Sequence, residues 1–263
     1  MSASAAAEIR VRNWPLRVQR SGAGPTLLLL HGEGGAESCG ALAARLARDF
    51  DVIAPEHPGF GGTEIPDWLD RVDDLANFYL EFLDQLDLRR VHLVGVSLGG
   101  WIAADLAVRN ATRLASLALV AAPGIRVAGV TQIDPFMRNE EQSVRDLFHD
   151  ARLVERMVGE MLRPETEDIR LGNRLVEAKL TWDPRFHDPQ LEKWLHRIRI
   201  PTLIVWGEED RLFPKDYAVA WQRRIPGAAL KLLPDCGHAP AIEKTDELAA
   251  AVRAFCTKES VTA

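Results

Sequence analysis

A serine stands among glycines in the segment GVSLGG, residues 95–100, between an apolar run and a run with helical spacing. Gly95 and Gly99 lie two places before and after Ser97, where a bulky residue would clash with a sharp strand-to-helix turn. A hydroxyl on such a turn is exposed as a nucleophile, and the N–H of Leu98 is a free donor at the helix N-terminus. The pattern therefore predicts Ser97 as a nucleophile, with the Leu98 N–H as a donor beside it.

A serine hydroxyl becomes reactive when a base, itself held by an acid, removes its proton. Among the seven histidines, His238 lies in CGHAP, a loop between the last apolar run and the last helical segment. Asp210 lies in WGEEDRLFP, directly after an earlier apolar run, and we interpret its neighbours Glu208 and Glu209 as a solvated turn. The sequence therefore predicts a triad of Ser97, Asp210 and His238.

Short apolar runs alternate with segments of helical spacing along most of the chain. This alternation predicts an α/β fold with a mostly parallel, twisted sheet of about eight strands flanked by helices. In such a sheet, ligands bind beyond the carboxyl ends of the strands, where all three triad residues fall. The expected strands are an edge hairpin at 8–20 and runs at 26–30, 51–55, 91–96, 114–120, 202–206 and 228–233; the expected helices cover 38–48, 68–86, 100–109, 215–224 and 246–256.

Residues 124–198 break this alternation, because they show helical spacing and no convincing strand. Three aspartates that precede prolines, Asp134, Asp183 and Asp188, are typical of helix starts. We predict that this segment, called the cap below, is a helical lid over the site. The α/β core would then consist of residues 1–123 and 199–263.

Composition narrows the class of protein. The formal net charge of -6 argues against partners such as nucleic acid or an anionic membrane. Three cysteines without CxxC spacing, and an N-terminus MSASAAAEIR without the features of a signal peptide, favour a cytoplasmic protein with reduced thiols. No metal-ligand spacing is present, and GEGGAE at 32–37 has Glu37 where a dinucleotide-binding fingerprint needs its third glycine. We therefore expect no metal and no cofactor.

Five short segments, which include the serine, acid and histidine motifs described above, resemble the α/β-hydrolase superfamily both in sequence and in their order along nearly the whole chain. The resemblance has two departures: Glu56 stands where relatives usually carry aspartate, and we expect it to support a turn. HGEGG also lacks the extra glycines of the HGGG subgroup that favours bulky tertiary-alcohol esters. The five segments are HGEGG (31–35), HPGFGGT (57–63), GVSLGG (95–100), GEEDRLFP (207–214) and CGHAP (236–240).

The resemblance implies a mechanism. Ser97 would attack a carbonyl carbon, His238 would take its proton, and Asp210 would orient the imidazole. The backbone N–H groups of Leu98 and Glu33 would form the oxyanion hole, and water would release the acyl group. Because some relatives carry the acid after the preceding strand, Asp134 is the rival to Asp210.

Three functions remain open at this point. The first is hydrolysis of carboxylic esters or thioesters of small molecules. The second is hydrolysis of a carbon–carbon bond in diketone acids from aromatic ring cleavage, because the segments at 143–154 and 194–207 resemble that group. The third is a non-catalytic receptor that binds a small molecule on the same fold.

The charged residues of the cap help to decide between ester hydrolysis and carbon–carbon bond hydrolysis. Residues 126–197 contain ten arginines and two lysines against fourteen acidic residues, which is not the basic funnel that an anionic diketone acid would favour. We therefore rank ester hydrolysis first, although one inward arginine could still bind a carboxylate. Trp101, Phe136, Met137 and Trp182 are candidate substrate-binding residues, and the sequence does not indicate an oligomeric state.

Overall fold

An eight-stranded sheet runs through the centre of the protein. Its order is β1-β2-β4-β3-β5-β6-β7-β8, with β2 antiparallel to both β1 and β4 and all other neighbours parallel. This topology confirms the predicted fold class. The strands are Ala5–Val11 (β1), Trp14–Ser21 (β2), Thr26–Leu30 (β3), Asp51–Pro55 (β4), Val91–Val96 (β5), Leu114–Val120 (β6), Thr202–Gly207 (β7) and Ala229–Leu233 (β8).

The computed structural model describes residues 5–261. Residues 1–4, which begin the segment examined for a signal peptide, and residues 262–263 lie outside the described residues. Within the described range, no helix is both long enough and apolar enough to cross a membrane. The helices are Gly40–Leu46 (α1), Val72–Gln85 (α2), Leu98–Arg109 (α3), Glu140–Leu147 (α4), Ala151–Met161 (α5), Glu167–Thr181 (α6), Pro189–Trp194 (α7), Asp216–Arg224 (α8), Pro240–Glu243 (α9) and Thr245–Val261 (α10).

Two apolar cores cover the two faces of the sheet. Alternate residues of β3 point to opposite faces: Leu28 and Leu30 pack with α2 and α3, whereas Leu27 and Leu29 pack with α1 and α10. Helix α3 is buried on every side from Leu98 to Val108. Since burial on both faces removes most apolar surface of these elements from water, it stabilises the sheet and the turns at its carboxyl edge.

The cap connects β6 to β7, and in the described residues its only β pairing is an isolated bridge between Gly124 and His187. Asp134 and Asp188 each accept a backbone N–H two residues later, as predicted for helix caps. Asp183 does not begin a helix. It lies in a turn after α6, with a cis bond to Pro184, and the Phe186 N–H donates to the Thr181 carbonyl to close the helix end.

The cap is tied to the core beneath it. Val144, Phe148, Val154 and Met157 form a separate apolar cluster that packs against residues of the segment following β8. The Glu243 carboxylate of α9 accepts the backbone N–H groups of residues 149 and 150 in the cap, at 2.8 and 2.7 Å, and of residue 237 in the core, at 2.6 Å. One core side chain therefore fixes the cap beside the loop that carries His238.

Candidate active site

Ser97 lies in the turn between β5 and α3, with φ 50° and ψ −119°. This left-handed conformation is strained for a residue with a side chain and persists only where its surroundings enforce it. The turn leaves no room at its flanking glycines: a Cβ on Gly95 would lie 2.2 Å from the Gly99 oxygen, and one on Gly99 would lie 2.3 Å from the Leu30 oxygen. The two glycines therefore let β3, β5 and α3 approach closely enough to hold the serine outward.

A continuous chain of hydrogen bonds runs from Ser97 to Asp210. The Ser97 Oγ lies 3.0 Å from the His238 Nε2, and the His238 Nδ1 lies 2.8 Å from the Asp210 Oδ2. The other Asp210 oxygen accepts the N–H groups of Leu212 and Phe213, at 2.9 and 3.0 Å. His238 and Asp210 are both buried, so the imidazole is held with one nitrogen toward the acid and the other toward the hydroxyl.

The alternative acids do not face His238. Glu209 is exposed and Glu208 half-buried in the same turn. Asp134 lies in the cap, where one oxygen accepts the Phe136 N–H and the other pairs with Arg185 at 2.7 Å. The structure therefore brings Asp210 to the imidazole and leaves the other three carboxylates elsewhere.

The predicted oxyanion donors lie beside the serine. Leu98 begins α3, and the first bonds of that turn are made by the N–H groups of Gly100 and Trp101 to the Ser97 oxygen, which leaves the Leu98 N–H outside the helical ladder. The Glu33 segment approaches from β3, where a Cβ on Gly32 would lie 3.0 Å from the Ser97 Cβ. Both backbone segments therefore lie next to Ser97.

Ser97 and His238 open into a cavity of about 120 Å³ between core and cap. No arginine or lysine is among the residues that line it, whereas two carboxyl side chains are. A larger groove of about 480 Å³ lies at the hairpin end of the sheet and contains no triad residue. The cavity lining is Gly32, Glu33, Gly34, Ser38, Cys39, Val96, Ser97, Pro123, Pro135, Ser143, Leu147, Met161, Glu177, Phe186, Leu212, Phe213, His238, Ala239, Ala241 and Ile242.

The four residues expected to bind substrate lie outside this lining, which corrects that expectation. Trp101 is buried in α3 under the backbone of Gly124, where a Cβ would lie 2.7 Å from its ring. Phe136 stacks behind a lining residue, with its ring 5.0 Å from that of Phe186. Met137 is 78% exposed, and Trp182 is 56% exposed. Helical spacing in the cap identified apolar residues without showing which face would meet the cavity.

Sequence reasoning missed the polar residues that α6 contributes. Asn173 is buried, donates from Nδ2 to the Glu33 carbonyl at 2.9 Å, and accepts the Gly61 N–H at 2.8 Å. One turn later, Glu177 is buried and lines the cavity. The sequence pattern that could have indicated Asn173 and Glu177 is their position on a helix stripe whose other members, Val176 and Leu180, are apolar.

Electrostatics distinguish the two carboxyl groups of the cavity from ordinary surface acids. Burial raises the pKa of Glu177 well above its usual range, and the nearby Glu33 raises it further, while Arg174 opposes the change. Burial also raises the pKa of Glu33, with Arg174 and His238 acting in the opposite direction. The cavity therefore disfavours a second negative charge.

Glu56, the departure noted in the sequence, joins two loops below the site. Its Oε1 accepts the Ala36 N–H at 3.1 Å and lies 3.1 Å from the His31 Nε2. The His57 N–H donates to the same His31 nitrogen at 2.9 Å. The glutamate therefore supports the segments that follow β3 and β4.

Known proteins similar to this chain differ in the reactions that their names describe. The chain is 32% identical to the dihydrolipoyllysine-residue acetyltransferase component of the acetoin cleaving system of Pseudomonas putida, over 89% of this chain and 64% of that protein. It is 30% identical to a poly(3-hydroxyalkanoate) depolymerase of Ectopseudomonas oleovorans, over 80% of this chain and 76% of that protein. It is 29% identical to a 2-hydroxymuconate semialdehyde hydrolase of Pseudomonas putida, over 94% and 92%.

The chain therefore spans just under two thirds of the length of the acetyltransferase component and more of the other two relatives. The family model for the alpha/beta hydrolase fold matches residues 25–245, which include the serine turn, the acid turn, the histidine loop and the whole cap. The chain belongs to the alpha/beta hydrolase family.

Proposed function

We propose that the protein is a serine hydrolase that cleaves carboxylic esters of small acids through an acyl-enzyme. The observation that carries this proposal is the hydrogen-bonded chain Ser97–His238–Asp210, which opens into a small cavity with no arginine or lysine in its lining. Similarity to a depolymerase whose substrate is a polyester supports the same reaction class.

The reaction uses the side chains in a fixed order. The Ser97 Oγ attacks the ester carbonyl carbon as its proton passes to the His238 Nε2, and Asp210 stabilises the resulting imidazolium. The oxyanion is stabilised by the Leu98 and Glu33 N–H groups, each worth roughly 3–4 kcal/mol in the transition state. The C–O bond then breaks as His238 protonates the leaving alcohol. Water, deprotonated by His238, attacks the acyl-enzyme and regenerates the Ser97 hydroxyl.

Cavity size favours short acyl groups. The cavity measures about 120 Å³, whereas an engineered protein cavity of about 150 Å³ accommodates benzene. An acetyl or butyryl group fits in this space, and a larger acyl group requires the cap to move. We therefore expect kcat/KM to be highest for acyl chains of about two to four carbons.

Carbon–carbon bond hydrolysis is the second candidate, because a relative of nearly the same length is named for a ring-cleavage product. Such a substrate carries a carboxylate, which the acidic cavity would repel. Arg174, the cap arginine that lowers the pKa of both glutamates, does not line the cavity. Its guanidinium is engaged by hydrogen bonds to the Ser143 hydroxyl at 3.3 Å and to the backbone oxygens of Pro135 and Arg138 at 2.7 and 2.9 Å. The cavity therefore favours a neutral ester over a diketone acid.

The deciding experiment compares p-nitrophenyl acetate and butyrate with a ring-cleavage diketone acid as substrates of the purified protein. Ester hydrolysis should have the higher kcat/KM. A diketone acid favoured by orders of magnitude would replace ester cleavage with carbon–carbon cleavage. Thermal stabilisation by small molecules without turnover of either class would indicate a receptor.

A further inference from the structure

Helix α6 presents one continuous stripe to the rest of the protein. Asn173, Val176, Glu177 and Leu180 have the spacing of a single helix face, and all four are buried. Val176 packs against the backbone at Gly59, at 3.3 Å from the place a Cβ would occupy there. The stripe is thus fixed by contacts of Asn173 and Val176, and the burial of all four residues keeps Glu177 on the inner face of the helix.

Glu177 has no bonding partner to compensate its burial. The side chain is 7% exposed, and its carboxyl group accepts no hydrogen bond from the residues that the structure describes. Arg174 acts on it only at a distance, because that guanidinium donates to a serine hydroxyl and two carbonyls of the cap. A carboxyl group at such a position without a protein partner is destabilising, so packing alone does not explain a glutamate here.

The carboxyl group faces the cavity that contains Ser97 and His238. Glu33, which is half-buried, lines the same cavity from the core side. Asn173 holds the Glu33 segment against α6, so one helix both positions that segment and supplies the second carboxyl group. Apart from the triad and the hydroxyls of Ser38 and Ser143, the remainder of the lining is mostly apolar, so these two acids are the carboxyl groups that a bound acyl chain would meet.

On the basis of the proposed function, we infer that Glu177 is a specificity-determining residue that binds a hydrogen-bond donor on the acyl chain of the ester, a hydroxyl or an ammonium group. A donor satisfies the carboxyl group that the protein leaves unpaired, whereas an unsubstituted chain leaves it unpaired and a carboxylate is repelled by it. The acyl side is the part of the substrate that remains in the closed cavity after the alcohol leaves.

The test measures kcat/KM for four p-nitrophenyl esters: butyrate, its 3-hydroxy and 3-amino derivatives, and the monoester of succinate, in which a carboxylate replaces the terminal methyl group. The wild type should favour the 3-hydroxy or the 3-amino ester over butyrate by about tenfold, the effect expected of one buried hydrogen bond. It should cleave the succinate ester least. A higher rate for the amino ester would identify an ammonium ligand, and a higher rate for the hydroxy ester a neutral one.

Two variants separate binding from packing. Glu177→Leu should erase the preference for a donor, so that the ratio of kcat/KM for the 3-hydroxy ester to that for butyrate falls to about one. Glu177→Gln keeps an acceptor oxygen without the charge, so it should retain the preference for the hydroxy ester and tolerate the succinate ester better. Glu167→Gln and Glu167→Leu are matched controls, because Glu167 lies on the same helix and is exposed; neither should change the order of substrates.

An unchanged ratio of hydroxybutyrate to butyrate turnover in Glu177→Leu would overturn this inference and leave ester hydrolysis intact. Failure of the wild type on every ester would instead reject the proposed function. Binding is then read without turnover, from the thermal shift of the protein with the methyl esters of 3-hydroxybutyrate, 3-aminobutyrate and butyrate, in which the carboxyl group is uncharged. Equal shifts by all three ligands in the wild type would also reject a donor site at Glu177.

Discussion

The serine turn and helix α6 each place one polar side chain in the same cavity, but they do so by different physical means. Ser97 is held by backbone: three elements approach so closely that only glycine fits at positions 95 and 99. Glu177 is held by side chains, through the contacts of Asn173 and Val176 on either side of it. The first arrangement tolerates almost no substitution, whereas the second can change its polar residue and keep its packing.

From this difference we expect the core to govern the chemistry and the cap to govern the selectivity for substrates. Rigid strand ends keep the reacting atoms within hydrogen-bond distance, as the 3.0 and 2.8 Å contacts of His238 show. The cap determines which groups lie around those atoms through a few side chains of α6 and its neighbours. Substitutions of core residues, and of cap residues that hold core backbone, should therefore act mainly on kcat. Substitutions of cap side chains in the cavity should act mainly on the order of substrates.

The largest effect is expected at the serine. Ser97→Ala removes the atom that forms the acyl-enzyme, and kcat should fall by about 10⁶-fold, by comparison with another serine triad. Circular dichroism should show an unchanged fold, because alanine keeps the Cβ of the strained turn. A fluorophosphonate probe should label the wild type and leave the variant unlabelled. Labelling of the variant at a second serine would place the nucleophile outside this turn.

The acid should come next. Asp210→Asn retains the shape of the side chain but favours the wrong imidazole tautomer, so kcat should fall by about 10⁴-fold. Glu209→Gln is the matched control in the same turn, and it should stay near wild-type activity because that side chain is exposed. Asp134→Asn should also remain active, since its carboxylate pairs with Arg185. If Asp134→Asn were inactive and Asp210→Asn active, Asp134 would be the acid of the triad.

The two regions also differed in what the sequence predicted. The strands, the serine turn and the acid and histidine loops were all anticipated, because buried strands and tight turns impose local constraints on residue type. The pocket residues were not, since the spacing of Phe136 and Trp182 indicated helix-like packing without the direction of each face. Glu177 could be identified only once Asn173 and Val176 were known to face inward.

The buried amide of α6 gives an effect of intermediate size. Asn173→Ala removes both the bond to the Glu33 carbonyl and the bond from the Gly61 N–H, so the Glu33 segment should lose its register beside Ser97. We expect kcat to fall by about 10- to 100-fold, the range associated with small misplacement of catalytic groups. Asn139→Ala is the control, because it removes an N-cap bond of α4 away from the cavity at a similar cost in stability. Equal kcat in both variants would show that α6 does not position the oxyanion segment.

The smallest expected effect is on stability, and its measurement tests whether Glu177 contributes to packing or to binding. Burial and Glu33 raise the pKa of Glu177, and Arg174 lowers it. The pKa of the neighbouring Glu33 is in turn raised by Glu140 and lowered by His238. A carboxyl group with a raised pKa binds more protons in the folded than in the unfolded state. Its burial is therefore tolerated below the ordinary pKa of about 4.3 and becomes increasingly destabilising as the pH rises toward the folded value.

Glu177→Leu removes that penalty and should raise the Tm by about 2–4 °C at pH 8, which corresponds to about 1 kcal/mol in a protein of this size. The gain should shrink toward pH 4.5, where the wild-type carboxyl group is protonated in the folded protein. Glu167→Leu, at an exposed position of the same helix, should show no such pH-dependent gain. A variant that is less stable than the wild type at pH 8 would mean that Glu177 stabilises the cap. If the variant is more stable but has lost the substrate preference, Glu177 lowers the stability of the protein while it recognises the substrate. The strained turn at Ser97 would be a parallel case, in which a destabilising conformation serves the chemistry.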